Sequence, residues 1–264
     1  MAKATFNFPI SSNLGTFSVY KMKGVDKLIF RSKGGPSKKQ VSTGSQYLFY
    51  RQNMSEFGGA AKAASHIYNC GYGIKHLADP QSFGALTKLC KIIQKKDGEV
   101  SGKRGISFSR YGNLFTGFSF NHENSFDTIV RQSPTVTFSR GELKAAVKFS
   151  DLLPGINLVS SWQLPHYRFI LSFGIAPDMV FTTRGYMPVN PKMRFNPNQL
   201  KTEWLSISNE MPAITHEISL PEPTVLDDSG VLVVSVGIEF GRMASDNVIE
   251  PVRFCGSAKI LGVG

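Results

Sequence analysis

Residues 227–240 read Asp-Asp-Ser-Gly-Val-Leu-Val-Val-Ser-Val-Gly-Ile-Glu-Phe, and they predict the most clearly marked strand of the chain. The first four residues are turn formers, and the apolar run that follows has the period of two typical of strands. Ser235 and Glu239 fall on one face of this strand. The opposite face is entirely apolar and consists of Leu232, Val234, Val236, Ile238 and Phe240. We expect that apolar face to lie against a core.

Short strand-like runs separated by turn signals fill the chain from residue 105 onward. They recur at intervals near ten residues, a rhythm typical of an antiparallel β-sandwich or barrel. The predicted strands are residues 135–139, 144–149, 156–160, 167–173, 179–183, 203–208, 215–219, 231–240 and 257–263. Residues 184–200 contain three prolines and three asparagines, which predict a long loop.

Residues 41–100 have the period of helices instead. Seven residues recur three and four apart and predict one apolar face of a long amphipathic helix: Tyr47, Tyr50, Met54, Phe57, Ala61, Ala64 and Tyr68. The pair Gly58-Gly59 predicts a kink or a close contact in this helix. A second helix is predicted between an N-cap at Asp79 and a stop at Asp97-Gly98. Its apolar stripe consists of Phe83, Leu86, Cys90 and Ile93.

Residues 1–40 predict extended structure with a basic hairpin. Runs at 16–22 and 27–33 flank a turn at 23–26, and the second run has an apolar face and a basic face. The turn that follows, Gly34-Gly35-Pro36-Ser37-Lys38-Lys39, permits close approach of an anion to the backbone, although the P-loop pattern is absent. A solvated basic loop and an arm that faces a polyanion are the alternatives.

The positive charge is concentrated near the N-terminus. Residues 1–110 contain 18 Lys and Arg against 5 Asp and Glu, whereas residues 111–264 contain 12 against 14. A segregated excess of this size attracts nucleic acid, phosphate or an acidic protein surface. The predicted polyanion-binding residues are Lys27, Arg31, Lys33, Lys38, Lys39, Lys88, Lys91 and Lys95. The lysines of the second helix are also explained as solvated cations that complement its dipole.

Sequence motifs for catalysis and metal binding are absent. The five histidines show neither HxxxH nor HExxH, the three cysteines lack CxxC spacing, and GxSxG and GxGxxG do not occur. We therefore predict no catalytic residue, no metal and no cofactor, with three buried free thiols. His122 and Asp127 belong to the nearest cluster of catalytic residue types, but turn roles explain these polar loop residues better. Trp162, Phe118 and Phe120 could stack on a base, but burial in a sheet core is the better explanation for them.

Nothing in the sequence predicts a targeting or membrane segment. Residues 1–9, Met-Ala-Lys-Ala-Thr-Phe-Asn-Phe-Pro, lack the apolar core of a secretory signal, and no window has the ~18 apolar residues of a membrane span. We expect synthesis in the cytoplasm without a signal peptide. Incorporation into a virion or another particle is one route by which such a protein leaves the cell.

Together these patterns predict an α+β protein. An N-terminal basic hairpin and a two-helix segment precede an antiparallel β-sandwich of the jelly-roll or immunoglobulin-like type. The predicted domain boundaries are residues 1–104 and 105–264, with one continuous domain as the alternative.

Several short segments resemble a known group of proteins. They are Phe30-Arg31-Ser32-Lys33-Gly34-Gly35-Pro36, Arg51-Gln52-Asn53, Glu56-Phe57-Gly58, Gly117-Phe118-Ser119-Phe120-Asn121 and Val236-Gly237-Ile238-Glu239-Phe240. In these the chain resembles, over nearly its whole length, an uncharacterised group of hypothetical proteins from Bacteroidota and their mobile elements. That group has no assigned activity, so the resemblance implies an architecture and no catalytic residues.

Three functions are compatible with these observations. The favoured one is a non-enzymatic structural protein that assembles with itself into a phage virion, tail-like tube or filament, with the β-sandwich as shell. Its basic N-terminal region then faces a polyanion or an acidic partner. The alternative is a nucleic-acid-binding protein that uses the basic hairpin and the lysine-rich helix. An enzyme for an anionic substrate is the third, but convergent acid and base groups are not recognisable in the sequence.

Overall fold

The computed structural model describes residues 13–14, 17–21, 27–32, 34–193, 196–244 and 248–264. Within these ranges the helices are α1 (Lys38–Thr43), α2 (Leu48–Cys70), α3 (Ser82–Gln94), α4 (Phe108–Tyr111) and α5 (Phe126–Ile129). The strands are β1 (Asn13–Leu14), β2 (Phe17–Lys21), β3 (Leu28–Ser32), β4 (Thr135–Ser139), β5 (Lys144–Phe149), β6 (His166–Pro177), β7 (Met179–Thr182), β8 (Gly185–Pro188), β9 (Asn198–Lys201), β10 (Leu205–Ser206), β11 (Ile214–Ser219), β12 (Gly230–Met243) and β13 (Ile249–Val263).

The chain divides into two compact units, Met1–Arg51 and Gln52–Gly264. In the first unit, β2 pairs antiparallel with β3, as expected for the predicted hairpin, and β1 adds a third strand beside β2. The predicted turn at 23–26 and the candidate Lys33 lie outside the described residues. The domain boundary predicted between residues 104 and 105 does not coincide with this division and stays a prediction about independent folding.

Among its described residues, the second unit contains three antiparallel sheets. The largest has the strand order β10-β6-β12-β13, with β9 also paired to β6. A three-stranded sheet has the order β11-β5-β4, and β7 and β8 form a separate hairpin. The α+β class is therefore confirmed. Because the sheets are not closed, a β-sandwich of jelly-roll or immunoglobulin-like type stays a prediction.

Both faces of β12 are buried, which makes it the centre of the fold. Leu232, Val234, Val236, Ile238 and Phe240 join the core cluster that includes residues of β5 and β11, as the period-two pattern predicts. The alternate residues Val231 and Val233 join a second cluster with α2 and α3. On that second face Ser235 and Glu239 are also buried. The helices therefore cover a sheet face whose polar residues alone would predict exposure.

Other expectations need local correction. Residues 156–160 form no strand: residues 155–157 are a turn, and the bridge residue Leu158 pairs with both Val130 and Pro154. Asn157 binds the backbone of the preceding loop. The predicted loop at 184–200 begins with β8 and ends in β9. The second helix begins at Ser82, two residues after Pro80, and the Asp79 carboxylate accepts hydrogen bonds from the N–H groups of Gln81 and Ser82, as expected for the predicted cap. In the described residues, no helix has the length and apolar character needed to span a membrane.

Candidate interaction surface

Helix α2 has two apolar faces, and the one made of small residues is buried. Its buried positions include Gly59, Ala60, Ala63, Ala64 and Ile67. Small side chains allow a helix axis to approach a sheet closely, and the Ser172 hydroxyl of β6 donates to the Cys70 carbonyl over 2.8 Å. An added Cβ at Gly174 would lie only 3.0 Å from the Cys70 Cα atom. The C-terminal end of α2 therefore lies against β6 at short range.

The aromatic face of α2 points to solvent. Met54 is 57% exposed and Phe57 is 62% exposed, although both belong to the apolar face that the periodicity identifies. An apolar helical face normally packs on the core, so this outward orientation corrects the expectation from the amphipathic pattern. Of that face, only Ala64 is fully buried. Of the two apolar faces, the one with the smaller side chains packs against the sheet, because small side chains allow close packing.

Helix α3 lies beside α2 and continues the exposed apolar surface. Leu86, Cys90 and Ile93 are buried as predicted, whereas Phe83 is 39% exposed and Ile92 is 43% exposed. Between the two helices lies an open groove with a volume of about 540 Å³. We call it the α2–α3 groove, and its lining residues are Phe57, Ala61, Phe83, Gly84, Thr87, Lys88, Lys91, Ile92 and Lys95.

Three of the predicted polyanion-binding residues line this groove, but they are not equivalent. The Lys91 ammonium donates to Glu56 Oε2 over 2.5 Å and to Gln94 Oε1 over 3.2 Å. Lys88 and Lys95 are exposed, and no ion pair involves either of them within the described residues. Lys91 is therefore already paired with Glu56, whereas Lys88 and Lys95 are the cations available to a partner.

Glu56 is a buried carboxylate that binds two partners: Lys91 of α3 and the loop that follows α3. It is 2% exposed, accepts a hydrogen bond of 2.8 Å from the Gly102 N–H, and lies 3.7 Å from Arg104 Nη1. Burial raises the pKa of Glu56, but the hydrogen bonds from Lys91 and Gly102 and the nearby charges outweigh that effect and lower the pKa below its ordinary value of 4.5. Glu56 is not predicted from the sequence, where its only signal is its position among the apolar and small residues 54–61.

The other predicted polyanion-binding residues belong to the first unit. Lys27 precedes β3, Arg31 lies within it, and Lys38 and Lys39 open α1, and all four are exposed. Residues 1–51 contain nine Lys and Arg and one acidic residue, a net charge of +8. Arg51 is engaged locally, since its Nη1 donates to the carbonyls of Val41 and Gly44 over 2.8 Å each. The basic excess is thus concentrated in this unit.

The residues weighed for catalysis have structural partners. His122 Nδ1 lies 2.7 Å from Asp79 Oδ2, and Asp79 also caps the turn before α3. Asp127 accepts from the Lys259 ammonium over 2.5 Å, and Lys259 is itself buried. Within the described ranges, no group of three or more His, Cys, Asp or Glu residues is arranged to hold a metal ion.

The aromatic residues weighed for stacking on a base lie in the core. Trp162 packs against Phe240 with ring centroids 5.2 Å apart, and Phe118 packs against the buried Phe120 at 5.4 Å. The prediction of core burial is confirmed for Phe120 and, as partial burial, for Trp162 and Phe118.

No family model, curated protein or solved structure matches the chain.

Proposed function

We propose that the protein is a non-enzymatic structural subunit of a repeating assembly, such as a phage virion, a tail-like tube or a filament, and that the α2–α3 groove is a contact between subunits. The single observation that carries this proposal is the exposure of large apolar side chains along the helix pair α2 and α3. Phe57, Phe83 and Ile92 leave apolar surface in water around one concave site. Contiguous apolar surface of this kind marks protein interaction sites more often than catalytic ones.

The helix pair is suited to a contact that must keep its shape. Glu56 and Lys91 connect α2 to α3 through an ion pair whose carboxylate is buried, and the Gly102 N–H donates a hydrogen bond to the same carboxylate. On the other side, the small residues of α2 pack against the large sheet. A preformed surface loses little conformational entropy when a partner docks, which favours assembly.

The β-rich part supports the role of a shell. The two larger sheets share one core cluster that extends from Phe149 of β5 to Phe240 of β12. We interpret the five-stranded sheet and the β11-β5-β4 sheet as the predicted β-sandwich, and we propose that this sandwich forms the shell of the assembly. The helices on the other face of the large sheet then present the groove outward.

Light scattering on the purified protein at low and high salt tests the proposal. We expect a mass several times the subunit mass of 29.1 kDa at both ionic strengths, because apolar contacts resist salt. Ile92→Ser and Phe57→Ser should each shift the mass toward the monomer.

A matched control is Ile156→Ser, since Ile156 is also exposed but lies outside the groove. This variant should assemble like the wild type. A wild-type protein that remains monomeric at all accessible concentrations would contradict the proposal.

The charge of the first unit favours a second candidate function, nucleic-acid binding through Lys27, Arg31, Lys38 and Lys39. Fluorescence anisotropy with a single-stranded oligonucleotide should then show an affinity that falls steeply with salt. Lys38→Glu/Lys39→Glu should lower the slope of log K against log salt by about 0.7 for each lost phosphate contact. Lys201→Glu, at an exposed lysine of the second unit, is the control and should leave the slope unchanged.

A further inference from the structure

The sheet of the first unit leaves aromatic side chains in water. Phe17 of β2 is 51% exposed and Phe30 of β3 is 66% exposed, and Leu28 of β3 is 42% exposed. Among the described residues, neither of the two hydrophobic core clusters includes any of these side chains. A small sheet normally buries its apolar face in a core, so an apolar face left in water is a candidate binding surface.

Strand register places these side chains on one face. In the antiparallel pairing of β2 with β3, Val19 is opposite Phe30 and Phe17 is opposite Ser32. Directly opposite residues share a face, and so do residues two apart along a strand. We call the face made of Phe17, Val19, Leu28 and Phe30 the aromatic face. Its two phenylalanines are diagonal neighbours, about 7 Å apart, so two adjacent rings are available to flat groups of a ligand.

The same unit has a strong positive charge. Residues 1–51 have a net charge of +8. Lys27 lies directly before β3 and Arg31 lies within it, and both are exposed. Among the described residues β3 pairs only with β2, so it is an edge strand and its cations lie at the rim of the sheet. An anionic ligand is therefore favoured at this sheet.

A single-stranded nucleic acid matches both the rings and the charge. Its unpaired bases stack on aromatic side chains, while Lys and Arg neutralise the phosphates along its backbone. In a duplex the bases are already stacked on one another, so a duplex uses the cations and leaves the rings in water. The combination of exposed rings and cations therefore favours a single strand over a duplex.

We infer that the aromatic face is a stacking platform for the bases of a single-stranded nucleic acid. Phe17 and Phe30 are its stacking residues, and Lys27 and Arg31 are its phosphate contacts. This inference rests on the second candidate function, nucleic-acid binding by the first unit, and does not involve the α2–α3 groove. Because every base has a π-face, the affinity should depend on strandedness far more than on sequence.

Fluorescence anisotropy of the full chain with a labelled oligothymidylate, alone or annealed to its complement, tests this inference. The wild type should bind the single strand more tightly than the duplex. Phe17→Leu/Phe30→Leu keeps apolar side chains on the sheet but removes both π-faces. It should raise the dissociation constant for the single strand about tenfold or more and leave the salt dependence unchanged, because no phosphate contact is lost. Phe17→Trp/Phe30→Trp keeps two rings and should bind at least as tightly as the wild type.

A single Phe30→Trp substitution gives a direct signal of stacking, because both native tryptophans, Trp162 and Trp204, lie in the second unit. The added emission should be quenched by the single strand and not by the duplex. Phe254→Leu is the matched control, since Phe254 is 86% exposed and belongs to the second unit. This variant should bind like the wild type, and circular dichroism checks the folding of every variant.

Wild-type affinity of Phe17→Leu/Phe30→Leu for the single strand would overturn this inference, as would equal affinities of the wild type for single strand and duplex. If that variant instead loses mass in light scattering, the aromatic face is a protein contact. In these cases a smaller salt slope of Lys38→Glu/Lys39→Glu would still uphold nucleic-acid binding. A wild-type protein that binds neither oligonucleotide would remove both.

Discussion

Glu239 is a charged side chain buried in the sheet, where its partners decide whether it stabilises the fold. It is 2% exposed, and it lies 2.7 Å from His76 Nε2 and 2.6 Å from Arg168 Nε. Arg168 in turn stacks on the Trp204 ring, with its guanidinium carbon 4.3 Å from the ring centroid. Burial raises the pKa of Glu239, but the hydrogen bonds and charges of His76 and Arg168 prevail and lower the pKa below 4.5.

Removing Arg168 should therefore cost more than an ordinary surface ion pair. We expect Arg168→Met to lower the free energy of unfolding by about 3 kcal/mol, because it leaves a buried carboxylate without its main partner. Urea unfolding measures this change. The double variant Arg168→Met/Glu239→Gln should be less destabilised than Arg168→Met alone, and equal stability of the two would show that the charge is not the cause.

Glu56 gives the stability a defined dependence on pH. Its pKa is lowered in the folded protein, so its contribution is complete above the ordinary pKa of 4.5 and is lost as the pH falls through the folded value. The carboxyls of Asp79, Asp127 and Glu239 have lowered pKa values as well and act in the same direction.

We expect the urea midpoint of the wild type to fall steadily as the pH decreases below about 5. In Glu56→Gln the midpoint is lower at neutral pH, and its decrease over the same acidic range should be smaller, because one of the titrating groups is gone. Parallel curves for the two proteins would contradict the role of the Glu56 carboxylate.

At the scale of single elements, α2 shows how two adjacent glycines acquire opposite roles. Gly58 is exposed, and an added Cβ there would meet nothing within 4 Å. At Gly59 an added Cβ would lie 2.6 Å from the Tyr186 ring, which packs flat against the helix. The close contact that the glycine pair predicts is therefore confirmed, and it belongs to Gly59.

Alanine substitutions at these two positions should change stability in opposite directions. Gly58→Ala should raise the free energy of unfolding by about 0.5–1 kcal/mol, because alanine is the better helix former and reduces the freedom of the unfolded chain. Gly59→Ala should lower it by about 1–3 kcal/mol, because the methyl group displaces Tyr186. Thermal or urea unfolding compares them, and a stabilising Gly59→Ala would mean that the ring contact is loose.

The elements themselves were predictable where one periodicity was unambiguous. The bounds of β4 and β5 and the core-facing side of β12 follow from alternation, and the existence of α2 follows from its helical period. The face of α2 that lies on the core could not be predicted in this way, because the helix carries an aromatic stripe and a small-residue stripe. The backbone of β6, with Gly174 against Cys70, accepts only the small one.

At the scale of the whole molecule, α2 and α3 share a hydrophobic core with the large sheet. Residues from both helices share a core cluster with Val231 and Val233 of β12 and with Ala258 and Ile260 of β13. Removing the helices would leave this sheet face, which is apolar over much of its area, in water. We therefore expect one cooperative unit from residue 52 onward, and the boundary between residues 104 and 105 stays a prediction that unfolding experiments test.

Two truncated chains test this organisation. A fragment of residues 48–264, which keeps α2 intact, should unfold in a single cooperative transition. A fragment of residues 105–264 should aggregate or lack such a transition, since its helix-covered sheet face is exposed. Circular dichroism in urea with size-exclusion chromatography distinguishes these outcomes, and cooperative unfolding of the shorter fragment would support the boundary predicted from sequence.

The sequence by itself determined the α+β class, the approximate position of most strands and the basic excess near the N-terminus, because period, turn residues and charge are local properties. Averaging charge over residues 111–264 concealed the acidic bias of residues 203–228, which contain six Asp and Glu and no Lys or Arg. Only the tertiary structure decided that the helices cover the second face of the large sheet, that Lys91 is bound to Glu56, and that Phe57 faces solvent. Those outcomes depend on which surfaces fit together at close range, and contacts between distant parts of the chain are not encoded in any local pattern.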